Sequence, residues 1–173
     1  DHLWLHAGCN NPEELLKAMV GRAGELRDVE VTHILTFGAA DHVDPKYSGS
    51  FRHRALFTGP NVRLAVNEGR ADWVPVFLSE IPGLVRSRAI PVDVAFIHIS
   101  PPDEHGFCSY GVGVECTKAA AESERLLRES ANDVRLFALS SHPSLHPSEA
   151  RLGHRVNHSS DVVGRNQDAP RQD

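Results

Sequence analysis

VDVAFIHISPPDEHGFCSYGVGVECTKAAAE, residues 92–122, passes from a nearly continuous apolar segment (Val92 to Ile99) through a Pro-Pro break and a glycine-studded loop. It ends in a helix-forming run that begins at Thr117. A buried strand, a polar Gly/Pro loop and a helix, in that order, are how α/β folds place functional loops at the carboxyl edge of a parallel sheet. The expected fold is therefore α/β, an open and mainly parallel sheet flanked by helices. The loop offers backbone amides at Gly106, Gly111 and Gly113, with Asp103, Glu104, His105, Cys108 and Ser109 among them. Two readings of it stay open: a ligand-lining groove, or a packing loop whose glycines solve backbone geometry.

Outward from that segment, Leu3 to Ala7 reads as a strand, and Gly8-Cys9-Asn10-Asn11-Pro12 as a turn into a helix. Asn11 is the expected N-cap, with Pro12 at the first helical position and Glu13 and Glu14 in the first turn. Leu15, Leu16, Met19 and Val20 follow at helical spacing, and Val29 to Phe37 reads as the next strand. Gly38 to Pro60 has few periodic apolar residues and is expected to be a long surface excursion. Asn61 is expected to cap a second helix ending at Gly69, and Trp73 to Leu78 to form a strand that Pro75 confines to an edge or a kink. Ser79 and Glu80 open a third helix with Ile81, Leu84 and Val85 inward; Thr117 to Arg128 is a fourth. Val134 to Leu139 is a further candidate strand. One domain over residues 1–160 is expected, with residues 161–173 a disordered tail or linker.

The net charge of -5 argues against a general nucleic-acid binder, which needs surplus Lys and Arg, and no apolar run is long enough to span a bilayer. Three cysteines, Cys9, Cys108 and Cys116, have no CxxC spacing. They point away from a disulfide framework or zinc site and toward a reducing cytoplasm, with a mitochondrial matrix as the alternative. The chain begins at Asp1 inside an apolar run, as a piece of a longer protein would.

Candidate sites are few. The amides of Gly8 to Pro12, between a strand and a helix, could hold an anion or an acyl carboxylate; a plain capped turn is the bland account. Cys9 near a helix start could carry a lowered pKa, but no paired base is evident. Arg52, His53 and Arg54 could meet phosphates, a solvated basic patch being the better expectation. His33 and His98 fall in strand patterns and read as core or edge histidines; no histidine spacing indicates a metal. Gly106 to Gly111 is GxxSxG rather than the GxSxG of a nucleophile elbow, and Gly111-Val112-Gly113 lacks a dinucleotide fingerprint. Glu68, Glu80, Glu104, Glu115 and Glu122 are available carboxylates, and none is assigned a catalytic role.

The runs FRHRALFTGPNVRLAVNEGRADWVPVFLSEIPGLVRS (Phe51 to Ser87) and Val92 to Glu122 together resemble the amino-terminal domain of the acetyl-CoA hydrolase/transferase family. That family includes 4-hydroxybutyrate and succinyl-CoA:acetate CoA-transferases. The most specific elements are Gly59-Pro60-Asn61, Asn67-Glu68-Gly69, Pro75 to Pro82, and Ser100-Pro101-Pro102-Asp103 with Gly106, Ser109 and Gly111. The likeness runs from Leu3 to Glu129 and returns weakly at Ser144 to Val156. Where the family has a Met-Pro-Arg-Thr stretch, this chain has Val134 to Leu139. The resemblance implies a CoA-transferase-like domain and CoA moved between an acyl-CoA and a small carboxylate through a glutamyl-CoA intermediate. It places the reactive glutamate in a second, carboxy-terminal domain that this chain lacks. It implies coenzyme A as substrate, no permanently bound cofactor, and homo-oligomers of the full protein. Gly8, Asn10, Asn11, Pro101, Gly106, Ser109 and Gly111 are the expected substrate-binding residues. The alternative is a non-catalytic remnant that binds acyl-CoA or a partner.

Overall fold

The structure, a computed structural model, describes residues 1–100, 109–128 and 135–140, the last six and residues 124–128 as backbone only. Its strands are β1 (His2–Leu5), β2 (Val29–His33), β3 (Phe51–Ala55), β4 (Ala71–Trp73), β5 (Val94–Ile99) and β6 (Arg135–Ser140). All are parallel, in the order β4-β3-β2-β1-β5-β6. The helices are α1 (Glu13–Gly21), α2 (Pro60–Asn67), α3 (Ile81–Arg86) and α4 (Thr117–Arg128). Among the described residues no helix is long and apolar enough to cross a membrane.

β1 and β5 are largely apolar in succession because both of their faces are covered. Side chains alternate across a strand, so Leu3 and Leu5 of β1 enter one core with Leu16, Met19, Val31 and Phe96, while Trp4 enters the other. That second core joins Ile97 of β5 to Ile81 and Val85 of α3 and to the alanine face of α4. Trp4 is fully buried, and its indole N–H donates to Thr117 Oγ1 at 3.4 Å, tying the middle of the sheet to the start of α4.

Five expectations change. Gly38 to Pro60 is not a surface excursion: it holds two 3-10 turns (Asp41–Val43 and Pro45–Tyr47) and the interior strand β3. Phe51, His53 and Ala55 point inward, and Arg52 and Arg54 outward. Arg52 and Arg54 pair with Asp72 and Glu30, and His53 is buried, so these residues form no solvated basic patch. Asn11 does not cap α1; Pro12 occupies that position, without any side-chain cap. Asn61 lies inside α2, with Gly59 at the cap, and its amide donates to the carbonyls of Thr36 and Gly38. The strand expected at Trp73 to Leu78 ends at Trp73, before Pro75, and is the edge of the sheet. The expected tail at 161–173 and the end of the domain at 160 lie outside the described residues.

Candidate functional site at the carboxyl edge

From β1 the chain winds outward through β2 and β3 to β4, then crosses back to place β5 on the other side of β1. The winding reverses between β1 and β5, the place where open parallel sheets offer a ligand crevice at their carboxyl edge. The exit of β1 (Gly8 to Asn11) and the segment that follows β5 meet at this point.

Gly8 turns the chain out of β1 with φ +62°, and its N–H donates to Leu35 O at 2.6 Å. A Cβ at this position would stand 3.3 Å from Glu115 Oε1, so Glu115 lies directly over Gly8. Glu115 is a non-glycine residue with φ +37°, a conformation that costs free energy and persists only where surroundings impose it. Burial of part of its side chain raises its carboxyl pKa.

Two side chains from β1 and its exit secure the opposite wall. Asn10 Nδ2 donates to Tyr110 O at 2.5 Å, beneath Gly111, whose φ of +69° brings it against the Asn10 amide. His6 is fully buried, with Nε2 2.5 Å from Gly113 O and Nδ1 3.1 Å from the backbone N–H of His98. Burial lowers its pKa, opposed by the Gly113 carbonyl and assisted by His98. The base of the loop is closed by Ser100 and Ser109: Ser100 N–H donates to Ser109 O at 2.9 Å, and Ser109 N–H donates to Ser100 Oγ at 2.9 Å. Ser109 Oγ then accepts from Gly111 N–H at 3.0 Å.

Of the expected binding residues, Gly8, Asn10, Ser109 and Gly111 are brought together. Asn11 is not: its amide packs on Gly38, on the β2 side, and neither polar atom has a hydrogen-bond partner among the described residues. Pro101, Gly106 and Cys108 lie outside the described residues. Cys9 is exposed, whereas Cys116 is buried and its thiol pKa is raised by that burial and by Glu115. His33 is a core residue, but both ring nitrogens lack hydrogen-bond partners among the described residues. Among those residues no three His, Cys, Asp or Glu side chains converge to hold a metal ion. Sequence reasoning passed over His6 and had Glu115 only as one of several available carboxylates without a role. The one signal for His6 was a polar residue inside the apolar run Leu3 to Ala7 that precedes the Gly-Cys-Asn-Asn turn.

The carboxyl edge has an apolar rim on its β2-β3-β4 side, where Phe37, Phe57, Trp73, Phe77 and Leu78 follow or end these strands and are exposed, as is Val112 beside Gly111.

Comparison with known proteins agrees with this geometry. The acetyl-CoA hydrolase/transferase N-terminal domain family matches residues 1–127. A 4-hydroxybutyrate coenzyme A transferase of Clostridium kluyveri is 36% identical over 82% of this chain and 37% of its own length. A succinyl-CoA:acetate/propanoyl-CoA:succinate CoA transferase of Fasciola hepatica is 40% identical over 76% of this chain and 28% of its own. The crystal structure of a 4-hydroxybutyrate CoA-transferase from Porphyromonas gingivalis superposes with a TM-score of 0.55 at 28% identity, covering 70% of this chain and 26% of that one. RipA from Yersinia pestis shares the fold, with a TM-score of 0.64 at 23% identity over 80% of this chain and 32% of that one. The chain thus spans about a third of the length of the relatives it matches.

Proposed function

Because the chain belongs to the acetyl-CoA hydrolase/transferase family, matching its amino-terminal domain over residues 1–127, we propose that it supplies one wall of a groove where an acyl-CoA meets a small carboxylate. CoA passes to that carboxylate, or to water, through a glutamyl-CoA thioester whose glutamate lies outside these 173 residues. The observation that carries this reading is the meeting of Gly8 and Asn10 with Ser109 and Gly111 at the reversal of the sheet. Asn11, Pro101 and Gly106 are proposed for the same wall on the family resemblance.

The carboxylates of this chain support a nucleophile elsewhere. Glu68 pairs with Arg70, Glu122 with Lys118, and Glu80 accepts the Phe77 N–H. Glu115 lies over Gly8 with its carboxyl pKa raised by partial burial, and no base or donor set among the described residues marks it as a nucleophile. The exposed apolar rim suits docking of the remainder of a longer protein, in which homo-oligomers are also proposed. Free thiols at Cys9 and Cys116 fit a reducing compartment, the cytoplasm in the first instance.

Two assays test the reading. The 173-residue chain, given acetyl-CoA and acetate, is expected to show no CoA transfer; turnover by this chain alone overturns it. Calorimetric titration with CoA then separates the roles: micromolar binding without turnover favours a stand-alone acyl-CoA-binding remnant, and no binding favours a wall completed by another domain.

A further inference from the structure

His6 differs from an ordinary core histidine in that both ring nitrogens are committed to backbone, on two different elements. The His98 N–H points at Nδ1 and needs a lone pair there, so the proton of the neutral ring must sit on Nε2, where it is donated to Gly113 O. The ring is the link between the end of β5 and the wall formed by residues 109–115. Asn10 holds the same wall one turn earlier, through Tyr110 O.

We propose that His6 is a positioning residue that holds the 109–115 wall in place only while its ring is neutral, making the shape of the crevice depend on pH. A second proton would land on Nδ1 and face the His98 N–H, donor against donor, inside a fully buried site. The ring must then leave β5, and Gly113, still bonded to Nε2, moves with it. The titratable groups on the surrounding elements are His98 on β5, His33 at the end of β2, Cys9 beyond β1, and Tyr110, Glu115 and Cys116 around the loop. His98 opposes charge on the ring. The consequence for ligands rests on the reading of this crevice as the acyl-CoA groove; the consequence for the loop does not.

Amide hydrogen exchange on the 173-residue chain, corrected for intrinsic rates, tests the loop directly. An opened loop frees a ring that titrates near its ordinary value, so protection of residues 109–116 is expected to fall about tenfold per pH unit below roughly 6.5. Amides of β2 and α1 report the general acid response of the buried histidines, and the loop is read as its loss in excess of theirs. Flat protection of 109–116 down to pH 5, or a loss no greater than that of β2 and α1, overturns the proposal. So does a nitrogen NMR spectrum placing the His6 proton on Nδ1 at pH 7.5.

Two variants split the bonds. His6→Gln places an amide near the Nε2 position and is expected to keep the loop protected and remove its pH dependence. His6→Asn reaches only the Nδ1 position and is expected to lose protection at every pH. Equal behaviour of the two variants overturns the assignment; the wild-type exchange and NMR data decide it if neither folds. Titration with CoA at pH 7.5 and 5.5 reads the groove separately, with affinity expected to drop in proportion to the closed fraction lost. Loop exchange that follows pH while CoA gives no heat supports the role of His6 and overturns binding of CoA by this wall alone.

Discussion

His42 Nε2 lies 2.9 Å from His53 Nδ1, and His33 meets the His53 ring edge-on with centroids 4.4 Å apart. The three rings, from the Asp41–Val43 turn, β3 and β2, are all essentially buried. His33 Nδ1 and Nε2, His42 Nδ1 and His53 Nε2 have no hydrogen-bond partner among the described residues. Nothing there stabilises a positive charge. Burial pushes the His33 pKa down to about 3, helped by His42, and the His42 pKa down to about 4. Burial, then His33 and His42, holds His53 well below its usual value.

Acid stability follows from these directions. The unfolded chain binds protons at these residues near pH 6.5 and the folded chain does not, so stability is full above that pH and falls as pH drops toward 4. At pH 5 each ring costs about 2 kcal/mol. The urea midpoint is expected to fall steeply between pH 7 and pH 5, and His42→Phe to flatten that slope.

Gly8 and Gly69 make a matched pair for backbone conformation. Both have positive φ, +62° and +72°, but Gly69 faces open space whereas Gly8 faces Glu115. Gly69→Ala is expected to cost about 1 kcal/mol, the conformational term alone. Gly8→Ala should cost more, and adding Glu115→Ala should bring the two closer together. Denaturant titration of the four proteins checks the order.

Two Arg–carboxylate pairs bracket β3. Arg54–Glu30 at 2.7 Å is partly buried (27% and 18% exposed), while Arg52–Asp72 at 2.5 Å is at the surface (45% and 47%). Arg52→Ala is expected to cost under about 1 kcal/mol. Arg54→Ala leaves a part-buried carboxylate unpaired and is expected to cost more, on the order of 3 kcal/mol. High salt should widen the difference, because it weakens the exposed pair more than the part-buried one.

In the core, Leu5 is 1% exposed and packs with Leu16, Val31 and Phe96. Leu5→Ala is expected to destabilise the fold by about 2–5 kcal/mol, read as a lower midpoint of thermal or urea unfolding.

Sequence reading located β5 most cleanly because it has apolar residues facing both cores. Helix α4 was placed at its observed bounds because a Thr start and an alanine face make a strong helical signal. β3 was missed because its inward positions include His53, and its outward arginines made a buried strand look like a polar loop. Burial of a histidine depends on what three separate segments bring together, which local pattern does not encode. The candidate site divides the same way. Gly8, Asn10, Ser109 and Gly111 stood in legible turns, whereas His6 and the left-handed Glu115 acquire meaning only from long-range contacts. Asn11 shows the reverse error, since a good capping residue lost its position to the proline beside it.

β1 comes first in the chain and sits in the interior of the sheet, paired with β2 on one edge and with β5 on the other. Leu3 opposes Val94, and the pairing is pinned by Asp93, whose Oδ2 accepts the His2 N–H at 2.7 Å and whose own N–H donates to His2 O at 2.8 Å. The second edge of β1 therefore stays unsatisfied until the polypeptide has returned from the far side of the sheet. Contacts of such sequence separation slow folding and leave a strand edge open to wrong partners meanwhile. During synthesis, aggregation risk is concentrated in the interval between emergence of β1 and arrival of β5.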